Sequence, residues 1–359
     1  MSKIRVVVVE DSLTVRRKIC DVIASDPELE LAGEGGDGKR GFELCRSLRP
    51  DVLTLDMHMP IMTGLVATEN IMAHCPTPIL IVSSSINRGD LFKTYDALAA
   101  GAVEVMEKPR GDEPDGEWER RFLSTLKLVS RIKVITHPRA RLGEMGIAVG
   151  PPVRPPTTPS PARHTSRILA IGASTGGPSA IVQVLRAIPA QIAAPMFVVL
   201  HIDQPFDIAF ADWLQHQTPH AVAYARGGEP VASLIGKVVM APAGKHMVVQ
   251  NHVLRLTTDP ERHSCRPSVD VLFESLAKDY PNDVAACLLT GMGRDGASGL
   301  LAIRRAGGFT VAQDEATSVV YGMPREAVLL DAAERVLPLG EIGAALAAHV
   351  PVRAARTHG

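Results

Sequence analysis

Apolar runs in the first third of the chain end on residues suited to phosphoryl chemistry. Glu10 and Asp11 follow the first run, Asp56 follows the third, Ser83 closes the fourth and Lys108 follows the fifth. Ligands of an open parallel sheet bind beyond the carboxyl ends of its strands, so these residues are read together. Three carboxylates converging in one crevice repel one another unless a hard divalent cation sits among them, and an all-oxygen set selects Mg2+. Asp56, alone on its strand, is the expected phosphoacceptor. With the cation present it attacks a phosphoryl donor, while Lys108 and the Ser83 hydroxyl bind the incoming oxygens. A plainer reading of Glu10 and Asp11 is that they cap the following helix. Lys108-Pro109, placed after its own apolar strand, turns the set into a constellation.

A second set lies in the other half of the chain. Ile168 to Ile171 runs into Gly172-Ala173-Ser174-Thr175-Gly176-Gly177-Pro178 and then an amphipathic segment. A serine at a strand end and helix N-terminus meets backbone N–H groups and a helix dipole that stabilise an oxyanion. The segment fits G-x-S-x-G, but a strand–glycine–helix turn serves equally as a phosphate cradle. The dinucleotide spacing G-x-G-x-x-G is not met. His201 ends the run Phe197 to Leu200, and pairing of adjacent parallel strands would bring its imidazole beside Ser174.

The carboxylates available to that histidine are Asp203, Asp207 and Asp295. Asp203 is too near His201 in sequence to reach its far nitrogen. Asp295 follows the strand Ala285 to Leu289 in a segment holding Gly291, Gly293 and Gly296, where glycines permit close backbone approach. It is preferred over the alternative of a plain Asp-Gly turn. The order Ser174, His201, Asp295 differs from the Ser, Asp, His order of an α/β-hydrolase, so a different scaffold is expected.

The elements that must position these groups follow from apolar periodicity. Residues 1–135 alternate short β-branched runs (Ile4 to Glu10, Leu29 to Glu34, Val52 to Asp56, Ile79 to Ser83, Ala102 to Glu107) with amphipathic segments such as Leu13 to Ala24, which predicts a (βα)5 domain. Residues 136–166 are rich in proline and arginine without apolar periodicity and are expected to form a semi-rigid linker. The α/β rhythm resumes over 167–350 through Ile168 to Ile171, Phe197 to Leu200, Val238 to Met240, Ala285 to Leu289 and Thr310 to Ala312. That pattern predicts a second, doubly wound, mostly parallel domain. Residues 351–359 form a tail expected to fray.

Bulk properties exclude several classes. A chain of 359 residues exceeds what one core usually serves, so two domains are expected. A formal charge of -1 and 4% aromatic residues leave no basic face or stacking platform, and nucleic acid is not an expected partner. Cys20, Cys45, Cys75, Cys265 and Cys287 show no C-x-x-C spacing, which suits reduced thiols in a reducing compartment. No apolar run approaches the ~20 residues of a membrane helix, and the first residues lead into a strand without a signal-peptide layout. A cytoplasmic protein without membrane insertion is the expectation.

At this point the segment from Ile4 to about Ile135 resembles the receiver domain of two-component response regulators, a flavodoxin-like fold. The resemblance implies Mg2+ held by Glu10, Asp11, Asp56 and the main-chain carbonyl of His58, with a chemotaxis-type histidine kinase as phosphodonor. Glu10 replaces a commoner Asp, and Val105 lies where many receivers carry an aromatic. The C-terminal segments Ile171 to Pro178, Ala241 to Met247, Arg266 to Phe273, Leu289 to Gly296 and Gln313 to Pro324 are similar to the catalytic domain of chemotaxis protein-glutamate methylesterases. The receiver–linker–hydrolase order matches that family along nearly the whole chain. The resemblance implies Ser174 as nucleophile, His201 as general base and then acid, Asp295 as its orienter, and Thr175 and Met292 as oxyanion support, with no cofactor in the catalytic domain. It implies methyl-accepting chemoreceptors as substrates, with deamidation of particular receptor glutamines at the same site. Phosphorylation of Asp56 is expected to shift a docked, occluded arrangement toward an open one.

Three other readings compete. A non-catalytic adaptor would use the C-terminal domain only as a docking surface, and covalent labelling of Ser174 separates it from an enzyme. A metallohydrolase would draw on the histidines between 201 and 263; His216 and His220 have metal-like spacing, but Pro219 breaks the helix that would align them. A DNA-binding output lacks a basic recognition helix after the linker.

Overall fold

In the computed structural model the described residues are 3–84, 87–109, 116–132, 134, 167–202 and 205–351. The linker expected at 136–166, most of the tail, and Asp203 lie outside them. The chain divides into two compact units, Met1–Val153 and Arg154–Gly359.

The first unit carries a parallel sheet of β1 (Ile4–Val9), β2 (Leu29–Gly35), β3 (Val52–Leu55), β4 (Ile79–Ser83) and β5 (Glu104–Glu107), in the order β2-β1-β3-β4-β5. The chain therefore reverses direction across the sheet between β1 and β3, and the crevice forms there. Strand register does the positioning. Val9 pairs with Leu55, and the Asp56 amide donates to the Val9 carbonyl at 2.9 Å, setting Asp56 beside Glu10. Likewise the Lys108 amide donates to the Ser83 carbonyl at 3.1 Å. Helices α1 (Leu13–Ser25), α2 (Gly38–Leu48), α3 (Gly64–His74), α4 (Arg88–Ala99) and α5 (Glu117–Val129) alternate with the strands. No side-chain cap is formed at Ser12, the residue before α1. The Glu10 carboxylate instead accepts the Ser12 amide at 3.1 Å, a local turn contact beside its part in the crevice.

The second unit carries a parallel sheet of seven strands in the order β14-β13-β12-β6-β7-β9-β8. The strands are β6 (Ile168–Ala173), β7 (Met196–Leu200), β8 (Ala221–Tyr224), β9 (Lys237–Met240), β12 (Val284–Leu288), β13 (Phe309–Gln313) and β14 (Arg335–Leu337). An antiparallel hairpin, β10 (His246–Gln250) with β11 (Val253–Thr257), stands apart from the sheet. The helices are α6 (Gly177–Ala187), α7 (Phe210–Gln217), α8 (Val269–Asp279), α9 (Ala297–Arg305), α10 (Met323–Leu329) and α11 (Leu339–Ala347). Helix α6 buries Ile181, Val184 and Leu185, and α8 buries Leu272, Phe273 and Leu276. Each such side chain contributes about 2 kcal/mol of transfer free energy. They press the helices onto the sheet that carries the site.

Three features of this unit were not foreseen. Strands β8 and β14 are short edge strands with exposed residues, so neither shows a long apolar run. The β10–β11 hairpin turns on Asn251 and His252, both at positive φ (53° and 59°), without the glycine that usually signals such a turn.

Candidate functional site

In the first unit the expected acidic residues converge. Lys108 Nζ lies 2.8 Å from Glu10 Oε2 and 3.0 Å from Asp56 Oδ2, with both carboxylates buried. Burial, reinforced by the Asp56 charge, pushes the Glu10 carboxyl up to about 7 against the opposing pull of Lys108. Burial also raises Asp56, with Lys108 and the amides of His58 and Met57 opposing. Burial pulls the Lys108 ammonium down, but Glu10 and Asp56 outweigh it and hold the group above its ordinary value. Asp11 is exposed and completes a trio whose carboxylate oxygens lie within 4.8 Å of one another. One lysine does not balance three carboxylates, and the Ser83 hydroxyl is buried with no hydrogen-bond partner among the described residues. A hard divalent cation fits this donor set, and a phosphoryl group would give the Ser83 hydroxyl an acceptor. The His58 imidazole is engaged by Asp90, Nε2 to Oδ1 at 2.6 Å, and is not among the side chains grouped with Glu10, Asp11 and Asp56.

In the second unit Ser174 and His201 directly follow β6 and β7, and Asp295 lies in the connection from β12 to α9; the three strands are neighbours in the sheet. Ala173 pairs with Leu200, and the His201 amide donates to the Ala173 carbonyl at 3.1 Å, which puts Ser174 and His201 side by side. On its other flank the Ser174 amide donates to the Thr290 carbonyl at 3.0 Å. Gly291 makes that approach possible: a Cβ there would lie 2.8 Å from Ser174 Cβ and 2.3 Å from Met323 Sδ. Gly293 serves differently, as a turn residue at φ 85° with open space around it.

His201 and Asp295 share a hydrogen bond, Nε2 to Oδ2 at 2.9 Å. Asp295 is 2% exposed. Burial pushes its carboxyl up, but hydrogen bonds from His201, Ser268 and the Val269 amide outweigh that and hold it below the ordinary carboxylate range. An ionised Asp295 makes Nε2 of His201 the donor. Burial pulls the His201 imidazole down, yet Asp295 and Cys265 together push it up to about 9. Its other nitrogen, Nδ1, faces Cys265 Sγ at 3.7 Å, and no hydrogen bond joins it to Ser174 among the described residues. Register thus sets Ser174 and His201 on neighbouring strand ends, while the hydrogen bond recorded at Nδ1 is to Cys265. Serine–histidine contacts are often loose before substrate binds.

Several contributors were missed in the sequence reading. The Ser268 hydroxyl donates to Asp295 Oδ1 at 2.7 Å, the Val269 amide to Oδ2 at 2.7 Å and the Asp270 amide to Oδ1 at 3.2 Å. They come from the start of α8, where an acceptor carboxylate meets helix N-terminal amides. The Thr290 hydroxyl donates to the Thr175 carbonyl at 3.0 Å and accepts the Val320 amide at 2.9 Å, bracing the serine turn. Thr175 is buried, and Met292 is 55% exposed. Of the rejected groups, Asp207 offers its carbonyl to the Tyr224 hydroxyl, and Asp203 lies outside the described residues. His216 bonds the Asp212 carbonyl and His220 the Leu185 carbonyl. Neither belongs to a group of metal-capable side chains among the described residues.

A receiver sheet with its acidic crevice, followed by a parallel α/β unit with serine, histidine and aspartate on one rim, defines a response regulator with a hydrolase-type output domain. The response regulator receiver domain family matches residues 6–114 and the CheB methylesterase family matches residues 169–346. Similar proteins include protein-glutamate methylesterase/protein-glutamine glutaminase 2 of Anaeromyxobacter dehalogenans, 42% identical over 96% of each chain. The protein of the same description from Pseudomonas aeruginosa is 44% identical, again over 96% of each chain. Among solved structures, the Thermotoga maritima CheB methylesterase catalytic domain is 33% identical, covers 52% of this chain and 100% of that one, and has a TM-score of 0.49. The chain belongs to the protein-glutamate methylesterase/protein-glutamine glutaminase family of receiver-linked enzymes. No helix among the described residues is long and apolar enough to cross a membrane.

Proposed function

We propose that the chain is a phosphorylation-regulated serine hydrolase that removes methyl esters from glutamates of methyl-accepting chemoreceptors in the cytoplasm. The reading rests above all on Ser174, His201 and Asp295 sharing one rim, with the imidazole tied to a buried carboxylate at 2.9 Å. Ser174 Oγ attacks the γ-carbonyl carbon while its proton passes to His201 Nδ1. Asp295 holds the imidazolium through Nε2, and His201 then gives the proton to the methoxy oxygen, so methanol leaves. Water attacks the acyl ester, loses a proton to His201, and the same proton returns to Ser174 Oγ as the glutamate departs. The Ser174 amide is committed to Thr290, so Thr175 and Met292 are the proposed oxyanion supports. A glutamine amide needs the same nucleophile and support, so deamidation with release of ammonia belongs to the same reading.

Control resides in the first unit. Glu10, Asp11, Asp56 and the His58 carbonyl would hold Mg2+, Asp56 would take the phosphoryl group from a chemotaxis-type histidine kinase, and Lys108 and Ser83 would bind its oxygens. When bound, the cation offsets charge on the transferring group. The test follows volatile label from methyl-labelled receptor preparations, with and without a small phosphodonor and Mg2+. Wild type should accelerate and Asp56→Ala should stay at its basal rate; equal responses would defeat the regulatory claim.

The pH dependence has a definite sign. His201 must be neutral to accept a proton, and its pKa lies at about 9 rather than 6.5. Esterase kcat/KM should therefore climb through the neutral range, its acid limb above that of an ordinary imidazole. A limb centred at or below 6.5 would contradict the arrangement. The same raised pKa stabilises the fold fully below 6.5, and that contribution is lost as pH rises through about 9.

A further inference from the structure

The base nitrogen of His201 is not left to the substrate alone, because Cys265 Sγ stands 3.7 Å from it. Zinc bound tetrahedrally has Zn–S of about 2.3 Å and Zn–N of about 2.0 to 2.1 Å, so two such ligands sit about 3.6 Å apart. The observed separation matches that spacing. A ligating histidine also characteristically donates its second ring nitrogen to a carboxylate, which fixes the tautomer and raises ligand basicity. Here His201 Nε2 does so to Asp295 Oδ2 at 2.9 Å. Cys265, His201 and Asp295 form one of the groups of metal-capable side chains among the described residues. Asp295 already accepts four hydrogen bonds, so it serves the metal by orienting His201 rather than by ligation. Cys265 also lines an open pocket of about 550 Å³ together with Met292 and Arg294, which gives water or a substrate oxygen access to the remaining positions.

We propose that Cys265 Sγ and His201 Nδ1 form an inhibitory site for a borderline-soft divalent cation, Zn2+ in the first instance. Binding releases the thiol proton to solvent and, below about pH 9 where the imidazole is protonated, the Nδ1 proton as well; the metal then sits between thiolate and imidazole and occupies the lone pair needed to deprotonate Ser174. A thiolate with an imidazole selects zinc over the hard Mg2+ of the first unit, so the two metals act at separate places with opposite effects. The inhibitory consequence rests on His201 being the general base; the metal site itself does not.

The experiment uses the full chain and two readouts. Cobalt(II) is titrated as a spectroscopic probe for a thiolate-to-metal charge-transfer band, and Zn2+ is titrated against methanol release, with EDTA reversal. The expected result is a cobalt–thiolate band in wild type and in Cys20→Ser but not in Cys265→Ser. Alongside it, the zinc concentration that halves activity, measured against each variant's own metal-free rate, should rise by at least about tenfold in Cys265→Ser. Absence of the band in wild type, or equal zinc sensitivity of wild type and Cys265→Ser, would overturn the proposal. The cobalt band decides the site even in a preparation that releases no methanol, so failure of the site and failure of the esterase reading are distinguishable.

Discussion

Ser174→Ala will reduce methanol release by roughly four to six orders of magnitude, to the level sustained by binding and oxyanion support alone. The fold should be indifferent to the change. The hydroxyl is on a partly exposed rim, and the turn is held through backbone groups: the Ser174 amide on the Thr290 carbonyl and the Gly177 amide on the Ser174 carbonyl at 2.7 Å. Thermal unfolding and circular dichroism of the variant should overlay wild type. An organophosphonate should label wild type at Ser174 and leave the variant unmodified. A variant that kept a tenth or so of wild-type turnover with its fold intact would remove serine from the chemistry, because loss of a nucleophile costs far more than about tenfold.

Asp295→Asn should lose both rate and stability, and the two losses have different origins. The carboxylate accepts from Ser268 Oγ and the Asp270 amide on one oxygen, and from the Val269 amide and His201 Nε2 on the other. An asparagine of equal size must turn an N–H toward one of these pairs, leaving buried donors facing a donor at about 1 to 3 kcal/mol. The rate should fall by about 10⁴-fold, because His201 loses the partner that fixes its tautomer and supports the imidazolium. The imidazole's pH limb should also move down, since the Asp295 hydrogen bond is among the influences raising it. Urea titration reads the first loss and initial rates the second. Lowered stability with an unchanged rate and pH limb would make Asp295 purely structural.

Much of this site is legible in the sequence, for a specific reason. In a parallel α/β sheet every strand delivers its last residue to the same edge, so Glu10, Asp56, Ser174 and His201 could be placed by finding where apolar runs stop. The paired strands β6 and β7 then follow the expectation that neighbours in sequence are neighbours in the sheet. What escaped was whatever depends on side chains approaching from elements without strong periodicity. Ser268 sits in a polar stretch before α8, and nothing local distinguishes its hydroxyl from a helix cap. It does accept the Val271 amide at 3.4 Å as a cap would, while donating to Asp295. The edge strands β8 and β14 escaped for the related reason that they bury too little to show a pattern.

Asp295 marks the division most clearly. Residue types and spacing alone determined that a carboxylate would follow an apolar strand amid glycines, and that two α/β sheets would present chemistry at their strand ends, since both follow from local periodicity and turn requirements. Only the tertiary structure decided that β12 lies against β6, bringing Asp295 to a histidine 94 residues earlier in the chain. It alone showed that the nitrogen facing away from Asp295 meets Cys265. Strand order and imidazole orientation are set by burial of the whole sheet and by competition among nearby donors, and no stretch of a few residues contains either.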